Sequence, residues 1–160
     1  MYQFDIAACS KAELYRDLHA AIDALTAGEP DAVANMANAA AVIWQYLPDL
    51  NWAGFYRLAG DELVLGPFQG KAACIRIPLG RGVCGTAAAT GETQVVADVH
   101  AFPGHIACDA DSRSELVVPI VSNGAVIGVL DLDSPLPGRF DAEDAAGCEA
   151  LAVLLGGRLG

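Results

Sequence analysis

The chain has 160 residues, 54% hydrophobic and 18% charged, with 9 basic residues against 20 acidic and a net charge of −11. A chain of this length forms one domain, here taken as residues 1–160, and buries enough surface to fold without metal or disulfide. The charge balance excludes nucleic acid or an anionic membrane as partner, because no basic run exists to neutralise phosphates.

The first residues lack the basic start and apolar core of a secretory leader, and no run of about 18 uncharged apolar residues could span a bilayer. A location in the cytoplasm is therefore expected, where the five cysteines begin as thiols.

Ser10 with Glu13 fits a capping box, and Leu14, Leu18, Ile22 and Leu25 recur at helical spacing from Lys11 to about Ala27. Gly28-Glu29-Pro30 breaks that helix. A second, alanine-rich helix is expected from Asp31 to about Leu47, with Val33, Met36, Ala40, Ile43 and Leu47 facing inward, and Pro48 stops it. Asn51 to Leu58 alternates around Trp52, Phe55 and Tyr56, and Gly60-Asp61 turns it into a strand at Glu62–Leu65. A third strand is expected over about Ala72 to Ile77. A glycine-punctuated loop, Pro78 to Gly82, then leads into a short helix at Val83–Ala89, and Gln94–Val96 reads as a short strand. An irregular segment from Ala101 ends at Glu115, on the lip of an apolar run that Asn123-Gly124 turns back toward Asp131 and Asp133. The last helix is expected from Asp141 to about Leu155.

This order implies an α+β domain: an antiparallel sheet covered by the N- and C-terminal helices on one face. The excursion of residues 78–114 closes the other face. Excursions of that length are usually functional, so the site is expected there.

Cys148 falls in line with Leu151 and Leu155 and reads as a core residue, while Cys9 precedes the first cap. Cys74, Cys84 and Cys108 lie in or beside the excursion. Cys84 starts a helix after two glycines, where exposed backbone donors would lower a thiol pKa, and Cys108 has His105 and Arg113 as cationic neighbours. Residue chemistry alone does not rank one above the other. These cysteines lack the paired spacing that structural zinc prefers, so no resident metal is expected.

Asp131 and Asp133, two apart on a strand, share a face. An ideal two-residue turn at Asn123-Gly124 would set Glu115 opposite Leu132, on the wrong face. A three-residue loop of Ser122, Asn123 and Gly124, or an equivalent bulge before Pro119, would set Glu115 opposite Asp131 and bring all three carboxylates together. Such a cluster holds at least one proton and suits a metal or a cationic, hydrogen-bonding ligand. Trp52 and Tyr56 would offer an apolar wall, though both also fit as ordinary core aromatics.

The segments NWAGFY (51–56), LVLGPFQGKAACIRIPLGRGVCGTA (63–87), DVHAFPGHIACDADSRSE (98–115) and GVLDLDS (128–134) resemble the free methionine-(R)-sulfoxide reductases, small enzymes of the GAF fold. The likeness covers nearly the whole chain. It implies Cys108 as the nucleophile, Cys74 as the cysteine that resolves it and Cys84 as an auxiliary or alternative partner. It also implies a carboxylate cluster of Glu115, Asp131 and Asp133 and a substrate wall of Trp52 and Tyr56. A loop of Gly104, His105, Ile106, Ala107 and Asp109 would receive the substrate carboxylate on backbone N–H groups. Thioredoxin as electron donor, no bound cofactor and a homodimer are further implications of the resemblance. A GAF sensor module that binds a small molecule without turnover and a thiol-based redox or peroxide sensor are the rival readings.

Overall fold

Apolar residues at helical spacing form α1 (Lys11–Thr26), whose N-cap Ser10 accepts a hydrogen bond from the Glu13 N–H. The computed structural model describes residues 2, 4, 6, 10–104 and 110–160. α2 (Ala32–Tyr46) is capped by the Asp31 side chain. Its inner stripe differs from the expected one at Val33, which is 54% exposed. Asn35 and Ala39 turn inward there instead, and Asn35 is satisfied by donating to the Glu29 carbonyl at 3.0 Å. α4 (Ala142–Leu159) extends past the expected end and opens with a capping box between Asp141 and Asp144.

The strands are β1 (Trp52–Ala59), β2 (Glu62–Gly70), β3 (Arg76–Pro78), β4 (Gln94–Val96), β5 (Ser114–Ser122) and β6 (Ala125–Ser134). They form one antiparallel sheet in the order β3-β2-β1-β6-β5-β4. Strand periodicity splits its side chains between two cores. Phe55, Leu116, Val118, Leu130 and Leu132 pack with α1, α2 and α4 on one face. Trp52, Tyr56, Val117 and Val129 face the other way, under α3 (Gly82–Thr90), which contributes Val83, Cys84 and Ala87. Among the described residues no helix is long and apolar enough to cross a membrane.

Three expectations fail in detail. The second strand runs on to Gly70 rather than ending at Leu65. The third strand begins at Arg76 rather than Ala72. Ile75 still accepts from the Leu65 N–H at 2.9 Å, but residues 71–74 are drawn off the sheet edge because Trp52 Nε1 donates to the Lys71 carbonyl at 3.1 Å and the Tyr56 hydroxyl donates to the Cys74 carbonyl at 3.0 Å. In the β5–β6 hairpin, Ser122 pairs with Ala125, so the turn is the two-residue one, with Asn123 at φ 50° and Gly124 at φ 79°. Positive φ at both central residues suits the right-handed twist of a hairpin, which explains why the three-residue loop does not form. A register shift follows between Ile120 and Val121, where Val121 pairs with Val126 but Ile120 with Gly128. The extra residue, Ile127, lies on the returning strand. Glu115 is therefore set opposite Asp133 rather than Asp131, and Val117 faces Asp131. The slip runs opposite to the expected one, but side chains alternate with period two, so all three carboxylates still share a face.

One buried carboxylate ties the helical layer together. Asp144, fully buried, accepts from the Tyr15 hydroxyl at 2.9 Å, from Lys11 at 2.6 Å and from Arg139 at 3.1 Å, joining α1, α4 and the loop between β6 and α4. Removing one partner of such a group leaves the others buried and unpaired. Asp144→Ala is expected to lower unfolding stability by about 3–5 kcal/mol, and loss of the cap in Asp141→Ala by about 1 kcal/mol. Urea unfolding of both variants tests the ranking.

Candidate active site

β1, β5 and β6 are adjacent in the sheet, so their outward-alternating residues converge on the face below α3. Trp52 pairs with Asp133 across β1 and β6, Gly54 with Asp131, and Glu115 with Asp133 across β5 and β6. A cavity opens there, lined by Trp52, Tyr56, Cys84, Glu115, Asp131 and Asp133 together with residues of the 71–73 segment, Arg81 to Val83, Ile77 and Ser112. Trp52, Tyr56, Cys84, Glu115 and Asp131 are all less than a tenth exposed. The expected convergence of Glu115, Asp131 and Asp133 is thus present, and the aromatic wall stands beside it.

The wall is a stack. Trp52 lies over Phe68 at 5.2 Å between ring centroids and over Tyr56 at 5.8 Å. Gly54, between the two wall residues on β1, is required by this arrangement. A Cβ there would lie 2.3 Å from the Phe68 Cβ and 2.8 Å from the Trp52 ring. A glycine in a strand interior flanked by aromatics is the sequence signal for such close approach. Phe68, Ser112 and Lys71 were not singled out from the sequence. Lys71 pairs with Asp111, and Asn51 donates to Ser112 Oγ at 3.0 Å, so loop residues from two separate stretches join at the rim.

The Cys84 thiol is 3.9 Å from Glu115 Oε1 and within 4.8 Å of an Asp131 carboxylate oxygen. Burial and the neighbouring carboxylates push this thiol well above its usual range. The sequence expectation was the reverse, a thiol activated by the start of a helix. Desolvation and like charge outweigh the backbone donors here. Burial pushes Asp131 up to about 7. Glu115 is raised well above the usual carboxylate range by burial and then by Asp131 and Asp133. Burial and Asp131 likewise push the Tyr56 hydroxyl up, keeping it a donor.

Cys74 is disulfide-bonded, whereas Cys84 and Cys148 are free thiols. The partner of Cys74 therefore lies outside the described residues. Cys148 is fully buried in the helical core, as its spacing predicts. Gly104, exposed and at φ 72°, is not part of the cavity lining. Cys9, His105, Ile106, Ala107, Cys108 and Asp109 lie outside the described residues.

The raised carboxylates have a consequence for stability. An acid whose folded pKa exceeds its unfolded value binds more protons in the native state, so stability falls as pH rises between the two values. For Asp131 that window runs from about 4 to about 7, and Glu115 acts in the same direction. Asp131→Asn should unfold at higher temperature than wild type at pH 8, by roughly 1–4 kcal/mol of stability, with the difference shrinking at pH 4. Thermal melts across this range check it.

The GAF domain family model matches residues 29–159. The free methionine-R-sulfoxide reductase of Escherichia coli is 55% identical over 146 residues, covering 91% of this chain and 88% of that protein. Its Saccharomyces cerevisiae counterpart is 47% identical over 154 residues, covering 91% and 86%. The X-ray structure of the Neisseria meningitidis free methionine-R-sulfoxide reductase in complex with its substrate superposes with a TM-score of 0.95 at 50% identity, covering 99% of this chain and 96% of that one. With this extent of identity laid over one GAF sheet, the chain belongs to the free methionine-R-sulfoxide reductase family.

Proposed function

We propose that this protein reduces free L-methionine-(R)-sulfoxide to L-methionine. The observation that carries the reading is one cavity in which Glu115, Asp131, Asp133 and the Trp52–Tyr56 wall meet, in a chain closely related to reductases of that name. A sulfoxide oxygen needs a proton to leave sulfur, and Glu115, whose acidity burial suppresses, is the group suited to give it. The substrate ammonium needs anionic partners, which Asp131 and Asp133 supply. The aromatic stack takes the methyl and thioether end.

In this reading Cys108 attacks the sulfoxide sulfur as a thiolate while Glu115 protonates the oxygen. The sulfur–oxygen bond breaks, hydroxide leaves and a Cys108–methionine sulfur–sulfur adduct remains. Hydroxide then attacks the Cys108 sulfur, that bond breaks with its electron pair going to methionine, and Cys108 carries the oxygen as a sulfenic acid. Cys74 then condenses with it, releasing water and forming a disulfide. The disulfide-bonded state of Cys74 supports this resolving role. Cys84, free and held protonated against the carboxylates, acts as the auxiliary thiol. Backbone N–H groups from Gly104 to Asp109 receive the substrate carboxylate. An external dithiol, thioredoxin, returns the disulfide to two thiols. Assembly as a homodimer belongs to the same proposal. Peptide-bound methionine sulfoxide lacks the free ammonium and would leave the buried carboxylates unpaired.

Turnover of free L-methionine-(R)-sulfoxide with thioredoxin, thioredoxin reductase and NADPH is expected for wild type and absent in Cys108→Ser. No NADPH consumption by wild type would end the reading. Cys74→Ser should release methionine once and then recycle poorly; sustained turnover would move the resolving role to Cys84. Glu115→Gln is expected to lower kcat by about 10²–10⁴-fold, whereas Asp133→Asn should act mainly on KM. Steady-state kinetics of the two variants separate proton donation from ammonium binding.

A further inference from the structure

Cys84, Glu115 and Asp131 each present one donor atom, and the three atoms lie within 4.8 Å of one another. A tetrahedral zinc ion, with sulfur at about 2.3 Å and carboxylate oxygen at about 2.0 Å, sets such ligands about 3.5 Å apart. The observed 3.9 Å between the Cys84 thiol and Glu115 Oε1 needs a few tenths of an ångström of closure, and the other pairs, within 4.8 Å, need up to about 1.5 Å. An independent feature points to a ligand at the same place. Asp131 Oδ1 is buried with no hydrogen-bond partner among the described residues, in a side chain that is 5% exposed. A buried oxygen of this kind is stabilised by a donor or a cation.

The donor set selects the cation. One sulfur and two oxygens suit a borderline-soft ion of low coordination number, while calcium and magnesium require six or more oxygens. Cys84 also stands in the first turn of α3, whose N-terminus stabilises a thiolate once the thiol proton has left. The cavity leaves one side of the cluster open for water as a fourth ligand.

We propose that Cys84, Glu115 and Asp131 form a binding site for a thiophilic divalent cation, zinc or cadmium, which occupies the cavity in place of substrate and so inhibits the protein. Coordination expels the thiol proton and carboxyl protons to solvent, with no change of oxidation state. That the bound ion blocks catalysis rests on the proposed reductase function; that it binds does not.

The test begins with cadmium added to the disulfide-containing wild type, where Cys84 is the free thiol of the site. The expected result is one equivalent bound with an ultraviolet thiolate-to-cadmium charge-transfer band. Cys84→Ser should remove the band, and Asp131→Asn, which keeps the shape of the side chain, should weaken binding at least about ten-fold. No band in wild type, or an unchanged band and affinity in Cys84→Ser, overturns the site. Competition is then read in Cys74→Ser/Cys108→Ser, which retains Cys84 and cannot turn over. There, free methionine sulfoxide should displace cadmium, and a failure to compete would overturn the inhibition while leaving the metal site standing. Turnover in wild type together with no cadmium binding would sink this proposal and leave the reductase reading intact.

Discussion

Desolvated acidity in the middle of a sheet is the constraint on which the rest of this structure depends. Glu115 and Asp131 are buried beside the Cys84 thiol, and the basic side chains that line the cavity, Lys71 and Arg81, are exposed at its rim. Charges held this close in low dielectric cannot all ionise. The cluster therefore keeps protons or takes a cation. A protein can maintain such a cluster only where the surrounding fold is stable enough to offset it, and here the opposite face of the sheet is closed by three helices around fully buried leucines and a phenylalanine.

The sheet is accordingly divided by chemistry. On one face aliphatic side chains interdigitate with α1, α2 and α4, and the polar tie at Asp144 is fully hydrogen-bonded. On the other face the carboxylates, the aromatic stack and the short α3 leave a cavity. Strand alternation is enough to assign residues to one side or the other, since Leu130 and Leu132 point to the helices while Asp131 points away.

Much of this was legible in the residues. The cap at Ser10, the starts at Asp31 and Asp141 and the apolar stripes behind them marked three helices within a few residues of their ends. The sharing of a face by Glu115, Asp131 and Asp133 was legible too, although the device that achieves it was misread. A turn type and a bulge produce the same parity in more than one way, and local sequence does not state which strand carries the extra residue. The third strand was overlong in the reading for a different reason: the bonds that remove residues 71–74 from the edge come from Trp52 and Tyr56, about 20 positions earlier in sequence. The state of the Cys84 thiol was also beyond local reading, because its acidity depends on carboxylates 31 and 47 residues away in the chain.

Trp52 and Tyr56 each face two ways. Their rings form the wall of the cavity, and their polar tips grip the carbonyls of Lys71 and Cys74. The mouth of the pocket and the backbone that carries the disulfide-bonded Cys74 are thus mounted on the same two side chains. A change that widened the wall would also loosen the mounting of Cys74. The shape of the cavity and the setting of the Cys74 disulfide are for that reason one trait in this architecture, and selection acting on either would alter the other.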